Sequence, residues 1–134
     1  METISTIYSG ELRTEATHLQ SGKIVITDAP TDNQGKGEAF SPTDLLAAAL
    51  GSCALTLMGI KAREHNVSID GAKLKITKIM ASNPRRVAEV VLAFDMSGLT
   101  INEKERSLLE HTARHCPVAK SLHPDLKQTF HFSY

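Results

Sequence analysis

The strongest constraint on this chain is an apolar run at its centre. Sixteen residues, 45–60, separate Asp44 from Lys61 without one charged side chain. A membrane-spanning helix needs roughly 20 such residues, and this run includes Gly51, Ser52 and Cys53. It reads as the buried helix of a soluble protein. Ser41-Pro42-Thr43-Asp44 stands immediately before it. Ser41 can cap a helix, Pro42 suits its first position, and Asp44 can reach back to the cap or favour the dipole. A helix is therefore expected over 42–64, closing at His65-Asn66. Its middle is apolar almost all round. Its small residues Ala47, Ala48, Ala49, Gly51, Ser52 and Ala54 let other backbone approach. The rest of the chain must be built around this helix. With 134 residues, it can do so as one domain, 1–134, without a disulfide or metal to hold the core.

The flanking segments are mostly β in pattern. Residues 4–8 and 11–18 alternate apolar and polar side chains, with Leu12, Thr14 and Ala16 on one face and a turn expected at Ser9-Gly10. A third β-branched run covers 23–27, and 28–37 reads as a loop. After the helix, strands are expected over 68–80 and 87–97, joined at Asn83-Pro84. Val90, Leu92, Phe94 and Met96 alternate cleanly along the second. Thr100 or Asn102 starts a helix over 103–114, with Ile101, Leu108 and Leu109 inward. Cys116-Pro117 opens a shorter helix through Leu122. Phe130, Phe132 and Tyr134 mark a last strand. The order β-β-β-α-β-β-α-α-β is α+β: a mostly antiparallel sheet packed on a long central helix.

Charge and composition exclude some functions. Fifteen basic and fifteen acidic residues cancel, and there are two Tyr, four Phe and no Trp. Nucleic-acid binders rely on a basic footprint and stacking aromatics, and neither is present. Neither a nucleic acid nor a membrane is expected as a partner. A net charge of zero suits a monomer poorly and favours an oligomer. The N-terminal segment has no basic start and no apolar core, so a cytoplasmic location is expected. Two cysteines in a reducing compartment are free thiols or redox partners before they are a structural staple.

Those cysteines are the main chemical candidates. Cys53 lies in the apolar helix, with Asp44 opposite it on the helical wheel. Cys116 lies at a helix start, where the dipole eases thiol ionisation. Both also fit as small buried hydrophobes. His111 and His115 lie four apart on one helix face beside Cys116, a spacing that suits two or three metal ligands. No Cys-x-x-Cys or His-Glu-x-x-His accompanies them, and no metal is assigned. A histidine favoured by the helix C-terminus, or His115 tuning Cys116, are the other readings. Arg85-Arg86 reads as solvated and His123-Pro124 as a turn. The glycines match no dinucleotide or phosphate loop, and Gly-x-Ser-x-Gly is absent.

The stretch Ser41-Pro42-Thr43-Asp44-Leu45-Leu46-Ala47-Ala48-Ala49-Leu50-Gly51-Ser52-Cys53 resembles the first-cysteine motif of the OsmC/Ohr family. His115-Cys116-Pro117-Val118-Ala119 resembles its second, 63 residues after the first cysteine. The resemblance covers nearly the whole chain. It implies an intertwined α+β homodimer, with two thiols close together in a pocket near the dimer interface. It also implies thiol-dependent reduction of organic hydroperoxides, an external dithiol as reductant and no cofactor. Cys53 would attack the peroxide and Cys116 would resolve the product. The family's peroxidases add an arginine and a glutamate, the glutamate ten residues before the first cysteine. Here that position is Thr43. In this respect the chain is more similar to the OsmC-like branch of unassigned activity. Arg13 is the candidate arginine, its other reading being an exposed strand residue. Glu38 and Asp44 are the candidate supporting carboxylates, Glu38 also fitting an ordinary surface loop. Two further functions stay open: a redox-sensitive protein that binds a small apolar ligand, and a hydrolase pairing Cys53 with a histidine.

Overall fold

A computed structural model describes every residue, Met1–Tyr134. The helix expected at the centre forms as α1, Pro42–Glu64. Its start is a reciprocal cap: the Asp44 amide donates to Ser41 Oγ at 3.1 Å, and the Ser41 amide donates to Asp44 Oδ2 at 3.0 Å. Two backbone donors at the helix start are thereby satisfied. At the other end the Val67 amide reaches back to the Ala62 carbonyl at 2.9 Å. Asn66 stands between them in the left-handed region, at φ 56°, which closes the last turn.

The chain forms two compact units, Met1–Leu46 and Ala47–Tyr134. The first is an antiparallel meander of β1 (Ile4–Gly10), β2 (Arg13–His18) and β3 (Ile24–Asp28). Its first turn is Glu11-Leu12, two residues beyond the expected Ser9-Gly10. Both have positive φ, 55° and 61°, the geometry whose twist matches a two-residue hairpin. Leu12 therefore sits in the turn and not on the strand face with Thr14 and Ala16. The loop after β3 is pinned locally. Gly35 and Gly37 amides donate to the Pro30 and Ala29 carbonyls. A Cβ on Gly35 would lie 1.7 Å from the Ala29 carbonyl oxygen, so only glycine fits there. No apolar side chain of this unit is buried within the chain; Thr27, Asp28 and Ser41 are its buried residues.

In the second unit β5 (Arg86–Asp95) is the central strand, between β4 (Lys73–Ala81) and β6 (Lys127–Ser133). β4 pairs antiparallel with β5. It starts later than expected, because Ile69 to Ala72 forms a turn closed by the Ala72 amide on the Ile69 carbonyl. β6 pairs parallel with β5. Parallel neighbours need a long crossover, and α2 (Glu103–Arg114) with α3 (Pro117–Ser121) supplies it. The single expected sheet is thus two three-stranded sheets, one all antiparallel and one mixed. Val90, Leu92, Phe94 and Met96 are buried as their alternation requires. Phe94 stacks on Phe132 with ring centres 4.6 Å apart. Asn102, the second of the two expected caps, starts α2 through a reciprocal pair with Glu105.

α1 also departs from expectation. Within the chain it buries one stripe, Ala47, Leu50, Gly51, Ala54, Met58 and Ala62, not its whole circumference. Gly51 lies against β4: a Cβ there would meet Ile76 Cδ1 at 2.5 Å. Ala49, Ser52, Thr56 and Ile60 form an exposed stripe. The helix is long and apolar enough to cross a membrane, but its buried stripe is the core face of the second unit.

Candidate functional site

The two cysteines meet. Cys53 projects half-buried from α1, at the margin of the exposed stripe, and Cys116 is fully buried. Both are free thiols. Cys53 is the hydrogen-bonding side-chain neighbour of Cys116. Cys116 is the N-cap of α3, with Pro117 at the first helical position. The Ala119 and Val118 amides favour its thiolate, but burial outweighs them, and Cys53 acts in the same direction as burial. The Cys116 thiol is therefore pushed up from its ordinary value, contrary to the easier ionisation expected at a helix start. A five-residue helix has little dipole to set against desolvation. The pair thus comprises one approachable thiol and one held protonated behind it.

In the first unit a second cluster forms around Arg13. Its guanidinium grips Asp28 in a two-point bond, Nε to Oδ1 at 2.6 Å and Nη2 to Oδ2 at 2.8 Å. Nη2 also donates to Glu38 Oε1 at 2.9 Å. The Glu38 amide closes the ring by donating to Asp28 Oδ2 at 3.0 Å. Arg13 and Glu38, predicted from sequence, are thus together. Asp44 caps α1 with Ser41, and Thr43 Oγ1 also lies 3.2 Å from Ser41 Oγ there. The Arg13 guanidinium holds the Asp28 carboxyl below the usual carboxylate range, against the opposing effect of burial. The same bonds raise Arg13 further above its already high value.

Asp28 is the residue that sequence reasoning missed. Its sequence context reads as a loop, yet it ends β3 directly opposite Arg13 in the ladder. Counting the β2–β3 register back from Ser21-Gly22 is the signal that finds it.

An open cleft of about 630 Å³ runs beside the C-terminal half of α1, with Ile60, Arg63, Val67, Ile69 and Asp70 in its walls. Neither cysteine lines it. Among His, Cys, Asp and Glu, no group of three is placed to hold a metal ion.

Residues 35–130 match the profile of the OsmC-like protein family. This chain belongs to that family. The OsmC-like chain superposes on a crystal structure from Psychrobacter arcticus 273-4 with a TM-score of 0.95 and 52% identity. The match covers 99% of this chain and 96% of the other. That protein is described, provisionally, as an osmotic stress induced and detoxification response protein. The fold also matches the organic hydroperoxide resistance protein OsmC of Legionella pneumophila, at TM-score 0.77 and 18% identity, over 100% and 98% of the chains. It matches OhrB of Bacillus subtilis, an organic hydroperoxide resistance protein, at 0.70 and 16%, over 98% of each chain. No protein with a curated description matches the sequence.

Proposed function

We propose that this OsmC-like protein is a cytoplasmic, homodimeric thiol peroxidase that reduces organic hydroperoxides. The observation that carries the proposal is the pairing of half-buried Cys53 with buried, protonated Cys116. Cys53 attacks as the thiolate. It takes the distal peroxide oxygen, the O–O bond breaks, and the alkoxide leaves as the alcohol after taking one proton. Cys53 becomes a sulfenic acid. The Cys116 thiol displaces its hydroxyl, releasing water and forming the Cys53–Cys116 disulfide. An external dithiol reduces that bond by exchange and is itself oxidised to a disulfide. Arg13 is the proposed activating cation. Asp28 and Glu38 hold it, with Asp28 supplying a carboxylate that the family's peroxidases carry at the position of Thr43.

The homodimer has its own support. The first unit exposes Ile4, Ile7, Tyr8, Ile24, Val25 and Ile26 in the single chain, and α1 keeps its exposed stripe. Apolar surface on this scale marks an interface.

The test is to mix reduced protein with cumene hydroperoxide and a dithiol, and to follow peroxide loss and disulfide mass together. Wild type should turn over through the disulfide. Cys53→Ser should be inert, and Cys116→Ser should stop with Cys53 oxidised. Cys53→Ser consuming peroxide at the wild-type rate would refute the mechanism.

The cleft beside α1 favours a second reading, a small-molecule-binding protein; with Arg63 and Asp70 beside Ile60, Val67 and Ile69 in its walls, the ligand would carry polar as well as apolar groups. Saturable ligand uptake that survives both serine substitutions is the result this reading requires.

A further inference from the structure

Cys53 and Cys116 offer more than a route to a disulfide. Both are free thiols, and Cys53 is the hydrogen-bonding side-chain neighbour of Cys116. Sulfurs near enough to share a hydrogen bond are near enough for one atom to span them. No group of three His, Cys, Asp or Glu is placed to hold a metal ion. A zinc ion, which takes four ligands, would therefore find only half its set in the pair. Magnesium and calcium take oxygen and have no ligand here. A soft centre that is complete with two sulfurs is the ligand that fits.

We propose that Cys53 and Cys116 together bind a neutral trivalent arsenical, R–As(OH)2, as a two-sulfur chelate. Trivalent arsenic makes three bonds. Two go to the sulfurs and the third stays with its own organic group, so no further protein ligand is needed. At each step an As–O bond breaks, an As–S bond forms, and the thiol proton leaves with the hydroxide as water. Arsenic stays trivalent, and no electron changes hands. Burial holds the Cys116 thiol protonated, and this is no obstacle. The proton departs in the water and no charge is left in the core. Half-buried Cys53 bonds first; Cys116 then closes the ring within the same chain. Beside Cys53 on α1 stand Ala49 and Thr56, four residues before and three after it, both exposed and uncharged. That surface suits an alkyl or aryl group on arsenic and not a charged one. The inference rests on the two thiols as neighbours and not on peroxide chemistry.

The test is the intact mass of reduced protein mixed with phenylarsine oxide. A ring closed on both sulfurs is one water lighter than an adduct on a single sulfur. Wild type should carry one phenylarsenic per chain in the lighter form. Cys116→Ser should carry only the heavier form. Excess monothiol should strip the Cys116→Ser adduct roughly 100-fold faster than the wild-type one. A small dithiol should strip both. The wild-type mass alone separates ring from single bond, so the result does not depend on how a serine variant folds. A wild type with no adduct, or with only the heavier one, would overturn the proposal. So would a wild-type adduct that monothiol removes as fast as it does from Cys116→Ser. A wild type that closes the ring yet leaves cumene hydroperoxide intact would support this inference and remove the peroxidase.

Discussion

Asp28 is nearly inaccessible to solvent, at 1% exposure, and bears a negative charge. Such a group is tolerated because Arg13 and the Glu38 amide satisfy it; removing one partner leaves a buried charge uncompensated. Arg13→Ala should therefore destabilise the protein more than Glu38→Gln, since Glu38 is solvent-exposed and its pair with Arg13 is screened. Thermal midpoints at neutral pH measure the difference. The linkage has a definite sign. The folded-state pKa of Asp28 is lowered from the ordinary 3.8. Its contribution is present above that value and is lost as pH falls through the folded pKa. Acid unfolding of wild type should steepen below about pH 4, and Asp28→Asn should flatten that limb. Tyr134 acts at the other end of the scale. Burial, and a hydrogen bond to Glu110 at 2.5 Å, raise its pKa above the ordinary 10.0. Its stabilisation is complete below pH 10 and lost above it; Tyr134→Phe should blunt the alkaline loss in a pH series of melting curves. The thiols differ as well. Iodoacetamide should label Cys53 well before Cys116, read by peptide mass, because Cys116 is both buried and protonated.

At the level of elements, legibility followed locality. The bounds of α1 and the caps of α2 and α3 were readable because Ser41-Asp44, Asn102-Glu105 and Cys116-Pro117 act within one turn. The alternation of β5 was readable for the same reason. The Glu11-Leu12 turn was not, since neither residue belongs to the types that favour positive φ. The parallel partnership of β5 with β6 joins residues far apart in sequence, and no local pattern states it. Arg13 and Glu38 could be picked from the resemblance, but Asp28 needed strand register. The raised pKa of Cys116 needed burial, which is set by every element around it. Two substitutions test this level. Phe94→Ala removes the buried ring that stacks on Phe130 and Phe132 and should cost about 3–5 kcal/mol by chemical denaturation. Gly35→Ala drives a methyl into the Ala29 backbone and should move the loop that presents Glu38, lowering the thermal midpoint.

For the whole molecule, the 1–46 meander and α1 each leave apolar side chains exposed, and the proposed homodimer is what would cover them. A dimer should show twice the 14.6 kDa chain mass by light scattering, and Ile26→Lys should weaken it. A wild-type mass at the single-chain value would remove the homodimer from the proposal. The thiol pair has a separate kinetic consequence. Cys53 and Cys116 belong to one chain and are neighbours in it, so closing the bond between them is a first-order event. Dilution leaves its rate unchanged. Only meeting the oxidant and meeting the reductant depend on how much of anything is dissolved around it.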